Sequence, residues 1–82
     1  MDTIARSSKQ LGHVIQQRRM AKALTQTQLA ELIGTGQKTI SKIENGNPAT
    51  RVDTLFSVLA ALDLQLKVDP RTNDLDLDSL WR

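Results

Sequence analysis

The chain contains no cysteine, so disulfides and thiolate zinc sites are excluded. Its single histidine, His13, cannot anchor a transition-metal site by itself. No apolar run approaches the roughly 18 residues that a membrane span needs. The N-terminal stretch Met1-Asp2-Thr3-Ile4-Ala5-Arg6 has no apolar core of signal-peptide length. The cytoplasm is therefore the expected compartment. No nucleophile–base pair and no metal cluster is visible, so neither enzymatic activity nor a cofactor is expected. With 82 residues there is room for one core and about four or five short helices.

The modest net charge of +2 hides an asymmetry. Residues 1–51 hold eight Lys/Arg against three Asp/Glu, and residues 52–82 hold three against six. The front half is thus +5 and the back half −3, which sum to +2. A basic front half suits a polyanion such as DNA, and the acidic back half should face something else. Ordinary solvated surface would produce the same imbalance, so charge alone does not decide between the two.

Helix signals follow one another along the chain. Ser7 is placed to cap a first helix with Gln10 reaching back, and Leu11, Val14, Ile15 and Arg19 form its inner face as far as about Lys22. Thr25 and Gln28 make a capping box, while Leu24 and Leu29 sit at the staple positions around it. A second helix is expected over Gln26–Ile33, ended by Gly34. Thr35 and Gly36 form the turn into a third helix over Gln37–Glu44, with Ile40 and Ile43 inward and Asn45-Gly46 closing it. Thr50 and Asp53 suggest a further capping arrangement. Val52, Leu55, Phe56, Leu59 and Leu62 form the stripe of a fourth helix, with Phe56 in the core and Val58 and Ala61 off the stripe.

Beyond Leu62 the period changes. Leu64-Gln65-Leu66-Lys67-Val68 alternates apolar and polar, a strand signal stopped by Pro70. A lone strand leaves its backbone groups unpaired. It can pair with Leu75–Leu77 as a hairpin, or with the same strand of a second copy. The second pairing is preferred, because it also supplies a two-fold dimer, to which Val58 and Ala61 could add. Residues 70–82 are expected to form an acidic, flexible tail with the only tryptophan, Trp81, which either anchors a partner or else folds back on its own domain or stays disordered.

Two short helices joined by a tight glycine-containing turn are the DNA-binding supersecondary unit. Counting Gln26 as position 1, Ala30 stands at 5, Gly34 at 9, Ile40 at 15 and Ile43 at 18. A small residue is needed where the helices cross most closely, and glycine where the chain reverses. The remaining positions of the third helix, Gln37, Lys38, Ser41 and Lys42, are polar hydrogen-bonding groups, as base readout requires.

Thr25-Gln26-Thr27-Gln28-Leu29-Ala30, Ile33-Gly34 and Thr39-Ile40-Ser41-Lys42-Ile43-Glu44-Asn45-Gly46 resemble the Xre/Cro–C1 family of phage-repressor-like helix-turn-helix proteins over about residues 8–62. The resemblance implies an all-α, lambda-repressor-like domain of four to five helices over residues 1–62. The dimerising strand (63–69) and the tail (70–82) follow it. It implies a double-stranded palindromic operator as ligand and two recognition helices entering successive major grooves. Gln26 would bind a backbone phosphate and brace Gln37. Gln37, Lys38, Ser41 and Lys42 would reach base edges or adjacent phosphates, and Asn45 the backbone. Thr35 and Thr39 complete the DNA-facing set. Arg19 and Glu44 match a buried ion pair tying the first helix to the third, which agrees with the position of Arg19 on an apolar stripe.

The fourth helix running into Leu64, Leu66 and Val68, with a polar tail ending near Trp81, is similar to the HipB-type antitoxins. That similarity implies a homodimeric, nucleoid-associated autorepressor paired with a HipA-like kinase toxin, and no membrane partner. Trp81 is followed by Arg82, a departure from the pattern. The alternatives are a freestanding phage-type regulator without a toxin and an interaction module that has lost DNA binding.

Overall fold

The computed structural model describes residues 4–70, which hold four helices: α1 (Ser8–Ala21), α2 (Gln26–Ile33), α3 (Gln37–Glu44) and α4 (Val52–Ala61). The starts of α1 and α2 follow local chemistry. Ser7 Oγ accepts the amide of Gln10 at 3.1 Å. Gln10 reaches back one residue further than a capping box would take it, and its Oε1 accepts the Arg6 amide at 2.6 Å. At α2 the box is complete: Thr25 Oγ1 accepts from Gln28 N at 3.0 Å, and Gln28 Oε1 from Thr25 N at 2.8 Å. Each such cap satisfies amides that the first turn leaves without partners.

All four helices end in the same way. The chain turns through a residue of positive φ, and two backward amide bonds close the last turn, the six-to-one and five-to-two pair of a Schellman motif. The pairs are Leu24 N to Arg19 O with Ala23 N to Met20 O, and Thr35 N to Ala30 O with Gly34 N to Glu31 O. Asn47 N to Lys42 O with Gly46 N to Ile43 O, and Leu64 N to Leu59 O with Asp63 N to Ala60 O, complete the set. Gly34 and Gly46 take the left-handed conformation at φ 73° and 82°, and Ala23 and Asp63 take it at 58° and 56°.

The core joins Ile15 of α1, Leu29 and Ala30 of α2, Ile40 and Ile43 of α3, and Val58, Leu59 and Leu62 at α4. Leu11, Leu24, Ile33, Leu55, Ala61 and Leu64 pack around it. Helix α3 lies against both α1 and α2, and α4 closes over α2. The side chains holding α3 in place are Ile40, Ile43 and the buried Glu44, and its other polar residues lie toward the surface.

The α4 face differs from the sequence expectation. Phe56 is 50% exposed and Val52 65% exposed, whereas Val58, expected off the stripe, is fully buried. Apolar residues occupy more than half of the helix circumference, so two stripes compete. Leu55, Val58, Leu59 and Leu62 face inward at i, i+3, i+4 and i+7, and Val52, Phe56 and Ala60 face out at i, i+4 and i+8. The Thr50–Asp53 cap does not form. Arg51 occupies the cap position, and its side chain caps no amide of the first turn. Thr50 Oγ1 donates instead to Asn47 O at 3.0 Å, and Asp53 Oδ1 accepts the amide of Thr54 at 2.7 Å.

Residues 64–68 are in no strand ladder among the described residues. Leu64 packs on the core, while Leu66 and Val68 project from it. The alternative hairpin partner Leu75–Leu77 and the tryptophan Trp81 lie outside the described residues. Among the described residues, no helix is long and apolar enough to cross a membrane, and no cluster of three or more His, Cys, Asp or Glu could hold a metal.

Candidate nucleic-acid interface

Helix α3 presents one polar face. Gln37, Lys38, Lys42 and Asn45 are exposed, and Thr39 and Ser41 are half-buried beside them. Thr35, in the turn before α3, is also half-buried, and its amide is used in closing α2. On the opposite side Ile40, Ile43 and Glu44 are buried. The face therefore carries two amide side chains, two ammonium groups and two hydroxyls. These groups suit phosphates by charge and base edges by hydrogen bonding.

A chain of hydrogen bonds runs from the core to this face. Arg19 Nε donates to Glu44 Oε2 at 2.6 Å, and its Nη2 donates to Glu44 Oε1 at 3.0 Å. The third interaction of the guanidinium goes to Leu24 O at 2.7 Å, in the connection to α2. Glu44 Oε1 also accepts from Gln26 Nε2 at 3.0 Å. Gln26 Oε1 in turn accepts from Gln37 Nε2 at 2.5 Å. One network thus ties α1, the start of α2 and both ends of α3 together. Burial disfavours the charge on Arg19, but the stronger hydrogen bond to Glu44 raises its pKa above the ordinary guanidinium value, and the attraction of the carboxylate adds to this. No buried side-chain nitrogen or oxygen among the described residues lacks a partner. This closure is what makes a buried ion pair tolerable.

Two further packing features position the face, and neither Gly12 nor the contact between Gly46 and Lys9 was singled out in the sequence. Gly12, buried in the middle of α1, lies against the backbone carbonyls at the end of α3. A glycine inside a helical pattern was the available signal, since it weakens a helix and needs a packing reason. Gly46, just after α3, lies over Lys9, where a Cβ would come within 2.7 Å of the Lys9 Cα. The contact between Gln26 and Glu44 was also not foreseen, because the two residues are 18 positions apart.

The basic residues are not all free for a polyanion. Arg18 Nε donates to Leu62 O at 2.9 Å, and Lys22 Nζ pairs with Asp63 Oδ2 at 2.6 Å. These two contacts bind the end of α1 to the end of α4. Hydrogen bonding to Lys22, followed by the attraction of its charge, holds the Asp63 carboxyl below its ordinary range. Arg51 pairs with Asp53, whose carboxyl is lowered first by the Thr54 amide and then by Arg51.

Comparison with known proteins places this geometry. The family model described as "Helix-turn-helix" matches residues 15–68. Over 60 residues the chain is 37% identical to the antitoxin HipB of Escherichia coli strain K12, covering 73% of this chain and 68% of HipB. It is also 37% identical over 60 residues to the ImmF control region 10 kDa protein of Bacillus phage phi105, covering 71% of this chain and 67% of that protein. Among solved structures, HipB in the HipA-HipB-O2-O3 complex superimposes with a TM-score of 0.77 and 32% identity, over 83% of this chain and 96% of that one. These matches make the chain a member of the Xre-type helix-turn-helix family, a DNA-binding regulator of the HipB/Xre kind.

Proposed function

We propose that this protein is a homodimeric repressor that serves as the antitoxin of a HipBA-type toxin–antitoxin operon, repressing its own operon and neutralising a HipA-like kinase toxin. The observation that carries the DNA-binding part is the braced, polar, exposed face of α3. Two copies related by a two-fold axis set their α3 helices in successive major grooves of a palindromic operator, about 34–36 Å apart. Gln37 and Lys42 read base edges, with Lys38 and Ser41 beside them. Gln26, Thr35, Thr39 and Asn45 hold the sugar-phosphate backbone. No cofactor is needed, and the protein works in the cytoplasm on the nucleoid.

The dimer reading is supported by apolar surface that the described residues leave uncovered. Leu66 is 50% exposed and Val68 87% exposed on the segment that follows α4, and Val52 and Phe56 are exposed on α4 itself. Pairing of the Leu64–Val68 segments across the two-fold would satisfy their backbone groups. Val52 and Phe56, in place of Val58, add the helical part of the same interface. The partner reading is supported by the likeness to HipB, which has been solved in complex with HipA. Trp81 is the candidate anchor for that partner.

A second reading, a freestanding phage-type regulator, is favoured by one observation: the phage phi105 protein matches with the same identity as HipB. The two readings separate in a capture experiment from native cells, using the tagged full chain and a version ending at Asp69. A kinase-sized protein retained by the full chain establishes the antitoxin reading, and its loss on truncation places contacts in the tail. Operator DNA recovered without a protein partner favours the freestanding regulator.

A further inference from the structure

Taking Gln37 as a base reader, as proposed above, we infer that Glu44 selects adenine over guanine at the base Gln37 reads, by fixing which way two glutamine amides point. An ionised carboxylate only accepts hydrogen bonds. Both Glu44 oxygens accept from the Arg19 guanidinium, at 2.6 and 3.0 Å, and so have no hydrogen to offer a neighbour. The Gln26 amide must therefore turn its NH2 toward Glu44, as the 3.0 Å contact has it. That leaves Gln26 Oε1 directed at Gln37, and only the NH2 of Gln37 can answer it, as it does at 2.5 Å. Flipping one amide alone would set two donors or two acceptors against each other.

The outward half of Gln37 is thereby determined. Its Oε1 and its second amide hydrogen remain available, one acceptor and one donor. Adenine offers the matching pair in the major groove, an N6 donor and an N7 acceptor. With both amides reversed, Gln37 Oε1 would be occupied by Gln26 and only N–H groups would face the DNA. That arrangement suits guanine, whose O6 and N7 are both acceptors. Glu44 lies buried and touches no base in this account. It is a positioning residue whose charge reaches the groove through two neutral side chains.

The test is selection from a randomised duplex library with the full chain, read as the adenine-to-guanine ratio at each position. Gln37→Ala identifies the position by erasing its preference. There the unaltered protein favours adenine by roughly tenfold or more, and Glu44→Gln brings the ratio to within about twofold, because a glutamine at 44 can donate and both amides can reverse. A structural role alone would lower affinity for all sequences and leave the ratio unchanged, so an unchanged ratio in folded Glu44→Gln overturns the inference. Should that variant fail to fold, Gln26→Met carries the test. It leaves Arg19 and Glu44 paired but cuts the relay, and an unaltered ratio there is equally fatal. If Gln37→Ala erases no preference anywhere, base reading by Gln37 itself is wrong, and the inference falls with it.

Discussion

Gly12 of α1 lies directly against Glu44 of α3, so close that a Cβ at position 12 would stand 2.6 Å from the Glu44 carbonyl oxygen and nearer still to that of Ile43. The obstruction is backbone, which no rotamer change can move aside. Gly12→Ala gains helix propensity, about 1 kcal/mol, but forces α1 and α3 apart. The expected result is a net loss of roughly 1–3 kcal/mol in stability by urea unfolding. DNA affinity should fall further than stability explains, because the displaced helix carries the recognition face. An unchanged unfolding midpoint would show that the two helices have room to separate.

The left-handed residue closing α1 should respond in the opposite sense. Ala23 holds φ 58° where Gly34 and Gly46 hold similar values. A side chain in that region costs roughly 1–2 kcal/mol, partly offset by the greater unfolded-state freedom of glycine. Ala23→Gly should therefore stabilise the protein by about 0.5–1 kcal/mol in thermal unfolding. Gly34→Ala has open space around its new Cβ but the wrong φ, and should destabilise by about 1 kcal/mol. No gain from Ala23→Gly together with no loss from Gly34→Ala would remove the helix-ending account.

Much of this was legible in the sequence where chemistry is local. The Thr25–Gln28 box, the glycine ends of α2 and α3 and the spacing of Ala30, Ile40 and Ile43 all act within a few residues of themselves. What was not legible depends on approach between distant elements. Nothing near Gly12 in sequence announces that the end of α3 passes over it. The link from Gln26 to Glu44 likewise exists only once α2 and α3 have packed. At α4 the failure is of another kind, because a helix apolar on more than half its surface has no unique inward stripe. Phe56 was placed in the core by its type, and the geometry gave that place to Val58.

Acid stability offers a test of the junction between α1 and α4. The Asp63 pKa is lowered in the folded chain, mainly by its hydrogen bond to Lys22. The unfolded state therefore binds the proton more readily than the folded state. The stabilising contribution is present above the ordinary carboxylate pKa, near 4, and is lost as pH falls through the folded value. Asp63→Asn retains a residue tolerant of the left-handed conformation and removes this dependence. Its stability should fall less steeply than that of the unaltered protein below about pH 4 in denaturant titrations. Parallel pH profiles for the two would remove Lys22–Asp63 from the account of the junction.

On α3, Lys42 is exposed one turn beyond Lys38 and has no partner among the ion pairs of the described residues. Lys42→Ala should weaken specific DNA binding by about 1–3 kcal/mol and relax the preference at one base of each half-site. Gel-shift titrations on specific and random duplexes distinguish readout from simple attraction. An equal loss on both would reduce Lys42 to a phosphate contact.

The central claim is that two copies of this chain place their α3 helices one helical turn apart on a palindrome. The direct measurement is equilibrium binding to a selected palindromic duplex and to the same duplex with about five base pairs inserted between its half-sites, half of a turn of about ten. The insertion rotates one half-site to the far side of the helix without changing any base that is read. A drop in affinity of roughly tenfold or more is the predicted result, since only one recognition helix can then engage fully. Equal affinity for the two duplexes would contradict the account, because it would mean that each chain binds DNA alone.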